Sequence, residues 1–191
     1  MSKTKIAIFA SGSGSNFEAI AKACMKGRIE AEVALCISDV PGAYVAERAK
    51  RMNIPVLEFR PKSYPSKADY EAEILSELKK HQVEFICLAG YMRIVGQTLL
   101  EAYNGRIINI HPSLLPAFPG VDAIGQALKY GVKVFGITVH YVDHTLDGGK
   151  IISQAAIPYE GNDREELETM IHAREHALYV STLQSLLNHK C

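Results

Sequence analysis

Short apolar runs alternate with helical patterns along the first 111 residues, and this alternation restricts the possible folds more than any other feature of the sequence. The runs are rich in aliphatic and β-branched residues, which is typical of strands that are covered on both faces. They lie at 6–10, 33–37, 55–57, 85–88 and 106–111. Helical patterns between them lie at 17–26, 43–52 and 67–81. Strands that alternate with helices predict an α/β fold with a doubly wound, mostly parallel, Rossmann-like sheet.

The last third of the chain predicts a different arrangement. Residues 136–142 and 151–157 have strand patterns separated by a tight, glycine-containing turn, and this hairpin-like spacing predicts an antiparallel C-terminal strand pair. Asp163 is placed to cap a long final helix from Arg164 to Leu187. We find no repeat, low-complexity tract or linker, so residues 1–191 are expected to form a single domain.

Basic and acidic residues balance, with 21 of each and a formal net charge of zero. This balance argues against a broad electrostatic surface for nucleic acid or for an anionic membrane. No apolar run reaches the length of a transmembrane helix, and the N-terminus lacks the long apolar region of a secretory signal. The sequence therefore predicts a cytoplasmic protein with no nucleic-acid or membrane partner.

The cysteines predict a reducing environment rather than a disulfide scaffold. They are Cys24, Cys36, Cys87 and Cys191, and no two of them form a C-x-x-C pair. Cys36 and Cys87 lie inside apolar, strand-like runs, where a free thiol behaves as a small hydrophobic residue.

The stretch from Arg106 to Pro116 contains the first candidates for catalysis. It begins as a strand and stops at Pro112, which has no backbone N–H to donate. Asn109 and His111 lie two residues apart at the end of this strand, so period-two alternation directs both side chains to one face. An amide donor beside an imidazole suits a reaction in which negative charge develops on a carbonyl oxygen. The alternative is a strand end with two ordinary polar residues.

A glycine-rich loop from Ser11 to Asn16 joins the first strand to the first helix. Backbone N–H groups converge at such a turn and the helix dipole favours negative charge, so the loop is a candidate anion site. We favour a single phosphate on Gly14, Ser15 and Asn16. A dinucleotide fingerprint fits less well because Phe17 occupies the third glycine position, although Asp39 could mimic the ribose-binding acid. A plain strand-to-helix turn is the remaining alternative.

Three polar segments follow strands that are expected to be parallel, at 11–16, 91–93 and 109–113. Because ligands bind at the carboxyl ends of such strands, these segments predict one site at this edge of the sheet. Asp147, in a tight turn beside two glycines, could reach His111 and favour the charged form of its imidazole. No serine in an elbow motif and no cysteine lies near His111 in the sequence. Direct transfer to an incoming nucleophile is therefore expected, rather than a covalent enzyme intermediate.

The final helix contains the pattern H-x-x-E-H at 172–176, which is similar to an inverted zinc-protease motif. Two histidines at positions i and i+4 share a helix face, but no third ligand is evident in the sequence. We expect solvated or packing histidines there, and no metal.

The loop at Ser11–Asn16 and four later motifs occur in an order that is not expected by chance. The later motifs are Ala89–Ile94, Asn109–Pro116, Leu146–Gly149 and Arg174–His176. Together they resemble the folate-dependent phosphoribosylglycinamide formyltransferase family, and the resemblance runs nearly from end to end. It implies a transferase that passes a formyl group from 10-formyltetrahydrofolate to the amine of glycinamide ribonucleotide, in de novo purine (IMP) biosynthesis.

The resemblance also implies roles for individual residues. Asn109, His111 and Asp147 match the catalytic trio of the family. The implied ribonucleotide residues are Gly12, Ser13, Gly14, Ser15, Asn16 and Glu175. The implied folate residues are Lys67, Met92, Arg93, Ile94, Val95, Asn109, Asp143, His144, Thr145, Leu146 and Asp147. The N-terminal half would bind the ribonucleotide, and the C-terminal half would bind the folate and perform catalysis. The substrates would be small molecules, no metal would be needed, and the protein would be a monomer or a homodimer.

One segment departs from the family pattern, and other functions stay open. Many members carry histidines where this chain has Val121–Ile124, which affects the contacts of that loop rather than the catalytic trio. Formyltetrahydrofolate hydrolase resembles the catalytic half, but that family lacks this phosphate loop and adds an N-terminal regulatory domain. Methionyl-tRNA formyltransferase adds a C-terminal RNA-binding domain. A non-catalytic nucleotide-binding module would need only the phosphate loop.

Overall fold

The computed structural model describes residues 3–188, which form a seven-stranded sheet with helices on both faces. The strands are β1 (Thr4–Phe9), β2 (Ala31–Ser38), β3 (Val56–Glu58), β4 (Phe85–Leu88), β5 (Ile107–His111), β6 (Val134–Tyr141) and β7 (Ile151–Pro158). The helices are α1 (Ser15–Met25), α2 (Tyr44–Arg51), α3 (Lys67–Lys80), α4 (Gln97–Ala102), α5 (Ala123–Tyr130) and α6 (Arg164–Leu187), with a 3₁₀ turn at Pro61–Ser63. None of the helices in the described range is long and apolar enough to span a bilayer.

The strands lie in the order β3-β2-β1-β4-β5-β6-β7 across the sheet. Strands β1 to β5 are parallel, whereas β6 is antiparallel to β5 and β7 is antiparallel to β6. The predicted doubly wound, mostly parallel sheet and its antiparallel C-terminal pair are therefore confirmed. The direction of strand order reverses between β1 and β4, and ligands of such sheets bind in the crevice beyond the strand ends at this point.

Helices cover both faces of the sheet, which explains the continuous apolar runs in the sequence. On one face, Ile6 and Ile8 of β1 pack in a cluster with α1, α2, α5 and α6. On the other face, Ala7 and Phe9 of the same strand pack with α3 and α4. Since alternate residues of one strand enter two different cores, a central strand must be apolar at nearly every position.

The described cysteines are free and buried in the first of these cores, where the sequence predicts Cys36 and Cys87 to be small hydrophobic residues. Burial raises the pKa of the Cys24 thiol to about 11 and that of Cys36 to about 12, and it also raises the pKa of Cys87. These thiols therefore stay protonated near neutral pH and act as small hydrophobic side chains. Cys191 lies outside the described residues.

Candidate active site

The polar segments that follow β1, β4 and β5 are neighbours at the carboxyl edge of the sheet. The backbone N–H of Ser11 donates to the carbonyl oxygen of Gly90 at 3.0 Å, and the N–H of Met92 donates to the Ser11 hydroxyl at 2.8 Å. Strand β5 lies next to β4, with Asn109 opposite Leu88. The structure therefore brings the three predicted segments to one edge.

The candidate catalytic residues come from two parts of the chain. Asn109 and His111 lie at the end of β5, and Asp147 lies in the connection between β6 and β7. His111 is only 6% exposed, and its Nδ1 is 3.5 Å from Oδ2 of Asp147. The side chain of Asp147 is 12% exposed, so solvent screens the attraction between the two side chains only weakly.

Backbone contacts fix the turn that contains Asp147. Asp147 adopts a left-handed φ of 49°, and the N–H of Gly120 donates to its Oδ2 at 2.7 Å. A Cβ atom at Gly149 would overlap the carbonyl oxygen of Tyr141, so only glycine allows the turn to approach β6 this closely. The Asp147 carboxylate is therefore held between this turn and the loop that follows β5.

His140 is a site residue that no sequence motif indicates. It lies opposite Asn109 in the antiparallel pairing of β5 with β6 and is 2% exposed. Its Nδ1 donates to the carbonyl oxygen of Tyr141 at 2.8 Å, and its Nε2 accepts from Nδ2 of Asn109 at 3.3 Å. Burial lowers the pKa of His140, which favours the neutral ring that this pairing requires. The lowered pKa disfavours an ion pair with Asp147, whose Oδ1 lies 3.9 Å from Nε2 of His140.

A buried hydrogen-bond network holds the loop that follows His111. The hydroxyl of Thr138 donates to the carbonyl oxygen of Ser113 at 2.7 Å and accepts from the N–H of Leu115 at 3.0 Å. Farther along the loop, the carbonyl oxygen of Phe118 accepts from Nε2 of His111 at 2.9 Å. A substrate oxygen that binds His111 at this nitrogen must therefore replace the Phe118 carbonyl.

The glycine-rich loop meets the final helix. Gly14 is the N-cap of α1 with a left-handed φ of 74°, while Gly12 and Ser13 are exposed and Ser15 is half-buried. Nδ2 of Asn16 donates to Oε2 of the buried Glu175 at 3.1 Å, across 159 positions of sequence. Oδ1 of Asn16 is buried and has no hydrogen-bond partner among residues 3–188. A buried oxygen without a hydrogen-bond partner, such as Oδ1 of Asn16, can accept a hydrogen bond from a ligand hydroxyl.

Arg48, which no motif indicates, and His172 of the H-x-x-E-H pattern contact residues of this loop or of its partner Glu175. Arg48 of α2 donates from Nε to the carbonyl oxygen of Ser13 at 2.8 Å and forms an ion pair with Glu18. Nδ1 of His172 is 3.0 Å from Oε2 of Glu175, and this contact raises the pKa of His172. Arg48 therefore holds the backbone of the loop at Ser13, and His172 holds the Glu175 carboxylate that the loop residue Asn16 contacts.

The two histidines of the H-x-x-E-H pattern have separate surroundings. His172 bonds the Glu175 carboxylate, whereas Nε2 of His176 is buried without a hydrogen-bond partner in the described part of the chain. Burial lowers the pKa of His176. Within residues 3–188 we find no group of three or more metal-ligating side chains.

The segments that the resemblance assigns to the folate border a cavity of about 510 Å³. Val95 lines it from the segment after β4, and Asp143 and His144 line it from the segment after β6. Its lining combines apolar side chains with polar and charged ones. The remaining lining residues are Gln97, Leu100, Glu101, Asn104 and Val142, none of which the motifs indicate.

The same two segments expose large apolar side chains. Met92 is 74% exposed, Ile94 is 70% exposed and Leu146 is 61% exposed. In the connection after β6, the carboxylate of Asp143 accepts a hydrogen bond from the N–H of Thr145 at 2.8 Å. Exposed apolar side chains of this size are available to contact a ligand.

Helix α3 reaches this edge and fixes the start of α4. Lys67 is the first residue of α3, and the buried Glu71 one turn later accepts from the N–H of Gly96 at 2.6 Å. A Cβ at Gly96 would lie 2.8 Å from Cε of Lys67 and 2.6 Å from the Glu71 carboxylate. Lys67 therefore lies beside the end of the Met92–Val95 segment, and Glu71 supplies the cap that Gly96 has no side chain to provide.

The sequence and the fold are similar to those of known proteins. The family model described as "Formyl transferase" matches residues 4–183. The chain is 55% identical over 184 residues to phosphoribosylglycinamide formyltransferase of Bacillus subtilis (strain 168), covering 96% of this chain and 94% of that protein. It is 43% identical over 187 residues to the trifunctional purine biosynthetic protein adenosine-3 of Drosophila pseudoobscura pseudoobscura, covering 96% of this chain and 14% of that protein. Glycinamide ribonucleotide transformylase 1 from Geobacillus kaustophilus superimposes with a TM-score of 0.94 at 56% identity, covering 97% of this chain and 99% of that chain.

Proposed function

The chain belongs to the phosphoribosylglycinamide formyltransferases within the formyl transferase family, which perform the formyl transfer step of purine biosynthesis, and we propose that Asn109, His111 and Asp147 carry out this step. The proposed donor is 10-formyltetrahydrofolate, and the proposed acceptor is the amine of glycinamide ribonucleotide. The observation that best supports the proposal is the 3.5 Å approach of Asp147 to His111, with the Asn109 amide linked to the same carboxylate through His140.

The proposed reaction is a direct transfer. The acceptor amine attacks the formyl carbon, and the carbonyl oxygen becomes an oxyanion as the tetrahedral intermediate forms. Nδ2 of Asn109 donates one hydrogen to His140, which leaves its second hydrogen for the oxyanion, and His111 donates from its ring. Collapse breaks the bond from the formyl carbon to N10 of the folate. The attacking nitrogen loses one proton and N10 gains one, with Asp147 and His111 assisting that transfer.

The two substrates are proposed to occupy different sides of this centre within a single domain. The ribonucleotide phosphate would lie on the Gly12–Asn16 loop, with Glu175 in contact with the same substrate. The folate would lie between Met92–Val95 and Asp143–Asp147, with Lys67 at the rim. We further propose a cytoplasmic enzyme that acts on small molecules without a metal, as a monomer or a homodimer.

The experiment that tests the proposal is an absorbance assay of 10-formyltetrahydrofolate turnover by the purified protein, with and without glycinamide ribonucleotide. We expect turnover to require the ribonucleotide, because its amine is the acceptor. Equal turnover without it would indicate the hydrolase instead. No turnover with both substrates, from a folded protein that binds the ribonucleotide, would indicate a non-catalytic nucleotide-binding module.

A further inference from the structure

Asp39 is a buried carboxylate at the same sheet edge, outside the proposed catalytic trio. It directly follows the last residue of β2, and its side chain is only 2% exposed. A carboxylate this deeply buried is tolerated only when hydrogen bonds or opposite charges compensate for the lost water. Both oxygens are compensated, since Oδ1 accepts from the Ser11 hydroxyl at 2.5 Å and Oδ2 accepts from Nε of Arg93 at 2.8 Å.

The direction of each hydrogen bond around Ser11 follows from the chemistry of its partners. The backbone N–H of Met92 can only donate, so the Ser11 oxygen accepts from it. The Asp39 carboxylate can only accept, so the single hydroxyl proton of Ser11 points to Oδ1. Asp39 therefore fixes the rotamer in which Ser11 can also hold Met92.

The two partners of Asp39 belong to two different substrate segments. Ser11 is the first residue of the loop that continues through Gly12–Asn16, and Arg93 lies within Met92–Val95. Arg93 keeps 46% of its side chain exposed while its Nε is held by Asp39. One buried carboxylate thus connects the segments after β1, β2 and β4.

We propose that Asp39 is a positioning residue shared by both substrate sites, acting on the ribonucleotide loop through Ser11 and on the folate segment through Arg93. This inference rests on the proposed function, which assigns those segments to their ligands. Asp39 is too buried to serve as the ribose-binding acid that a dinucleotide fingerprint requires. Its contribution is preorganisation, because each ligand meets a segment that is already in place.

The variant Asp39→Ala tests the proposal through a split between KM and kcat. We expect the KM values for both the ribonucleotide and 10-formyltetrahydrofolate to rise by roughly tenfold, the scale of one lost charged hydrogen bond. The kcat at saturation should stay within about threefold, because Asp39 does not contact the trio. A purely structural defect would reduce the active fraction, and hence kcat, without raising either KM.

A double variant tests the route of each effect. In a Ser11→Ala background, Asp39→Ala should raise the ribonucleotide KM no further, because the bond that transmits the effect is already absent. It should still raise the folate KM through Arg93. A further tenfold rise in the ribonucleotide KM in this background would overturn the proposed route, as would a rise in only one KM for the single variant.

Two additional variants control for folding. Asp39→Asn keeps the side-chain size and one acceptor oxygen, so smaller rises in both KM values are expected, and it replaces the alanine variant if that protein does not fold. Glu58→Gln changes a carboxylate at the end of β3 that accepts from the N–H of Gly42 at 2.7 Å, and both KM values should stay within about twofold. This inference alone would be refuted if Asp39→Ala and Asp39→Asn show ribonucleotide-dependent turnover with unchanged KM values. The proposed function would be refuted if the wild-type protein shows no such turnover.

Discussion

The carboxylate of Asp147 lies close to three groups. These are the N–H of Gly120, Nδ1 of His111 and Nε2 of His140. Burial lowers the pKa of His140 and disfavours its charged form, and Asp147 lies nearer to His111, at 3.5 Å, than to His140, at 3.9 Å. A charge fixed at this distance in a partly dry site stabilises an imidazolium more strongly than it would in water. This stabilisation is of most use when His111 donates to an oxyanion that exists only near the transition state.

We expect Asp147→Asn to lower kcat by roughly 10²- to 10⁴-fold, the usual range for groups in acid–base chemistry. Asparagine keeps the size and can still accept from Gly120, but it has no charge to balance a protonated His111. The ribonucleotide KM should change little, because its phosphate loop lies elsewhere. Steady-state kinetics with both substrates varied measures this split.

The matched comparison for this prediction is Asp143→Asn, which removes the other carboxylate of the same connection. Asp143 bonds Thr145 in the folate segment, so its loss should raise the folate KM more than it lowers kcat. If Asp147→Asn keeps kcat within about threefold of the wild type, Asp147 is only a turn residue and the proposed trio is wrong.

At the scale of elements, the turn from β1 into α1 depends on glycine at one position. Gly14 has a φ of 74°, and a Cβ there would lie 2.5 Å from Cγ2 of Val45 and 3.0 Å from its Cα. The obstacle includes the backbone of α2, so the loop can approach α2 this closely only because Gly14 has no side chain. The same absence lets the loop present its backbone to an anion.

We expect Gly14→Ala to reduce the free energy of unfolding by roughly 2–4 kcal/mol, from a left-handed alanine and the overlap with Val45. It should also raise the ribonucleotide KM while folate binding stays nearly intact, and Gly14→Val should do both more strongly. Urea unfolding and substrate titrations measure the two effects. Loss of folate binding in a folded variant would mean that the loop is misassigned.

The control for this prediction is Gly27→Ala. Gly27 also has a positive φ, of 69°, but a Cβ there would meet no atom within 4 Å. Its substitution should therefore cost only about 1 kcal/mol, from the backbone conformation alone. An equal loss of stability in both variants would contradict the role of Val45.

At the scale of the whole molecule, three histidines make stability depend on pH. Burial lowers the pKa values of His140 and His176, so the unfolded chain takes up protons at these positions before the folded chain does. Their contribution to stability is present above a pH of about 6.5 and is lost as pH falls. His172 acts in the opposite direction because Glu175 raises its pKa, but its side chain is 56% exposed and solvent weakens the effect.

We therefore expect the free energy of unfolding to decrease between pH 7.5 and pH 5.5, a range chosen to bracket the ordinary histidine pKa of about 6.5. Urea unfolding at several pH values in this range measures the decrease. His140→Gln removes one titrating ring and should lose less stability over the same range than the wild type. A variant with the same slope as the wild type would show that His140 does not titrate differently on folding.

Local patterns in the sequence determined most of the fold. The apolar runs predict the strands, because a strand between two helical layers has no solvent-facing positions. Asp163 predicts the start of α6, and its side chain does accept from the N–H groups of Glu165 and Glu166. These features depend on neighbours within a few residues, so the order of residues is sufficient to indicate them.

Motifs also indicated which segments form the site, but not how their side chains pair. The sequence places Asn109, His111 and the Ser11–Asn16 loop at strand ends, and the rule that ligands bind at that edge brings them together. The partner of each side chain is a different question. Its position after the second strand allows Asp39 to be a ribose-binding acid, whereas in the folded chain it is buried between Ser11 and Arg93.

Contacts that depend on strand register and on packing between distant elements became visible only in the folded chain. His140 meets Asn109 because β6 pairs with β5 in one antiparallel register, and a shift by one residue would turn the histidine to the other face of the sheet. Asn16 meets Glu175 because α1 packs against α6 across 159 positions of sequence. Such pairs are determined by the packing of the whole core, which no short stretch of residues contains.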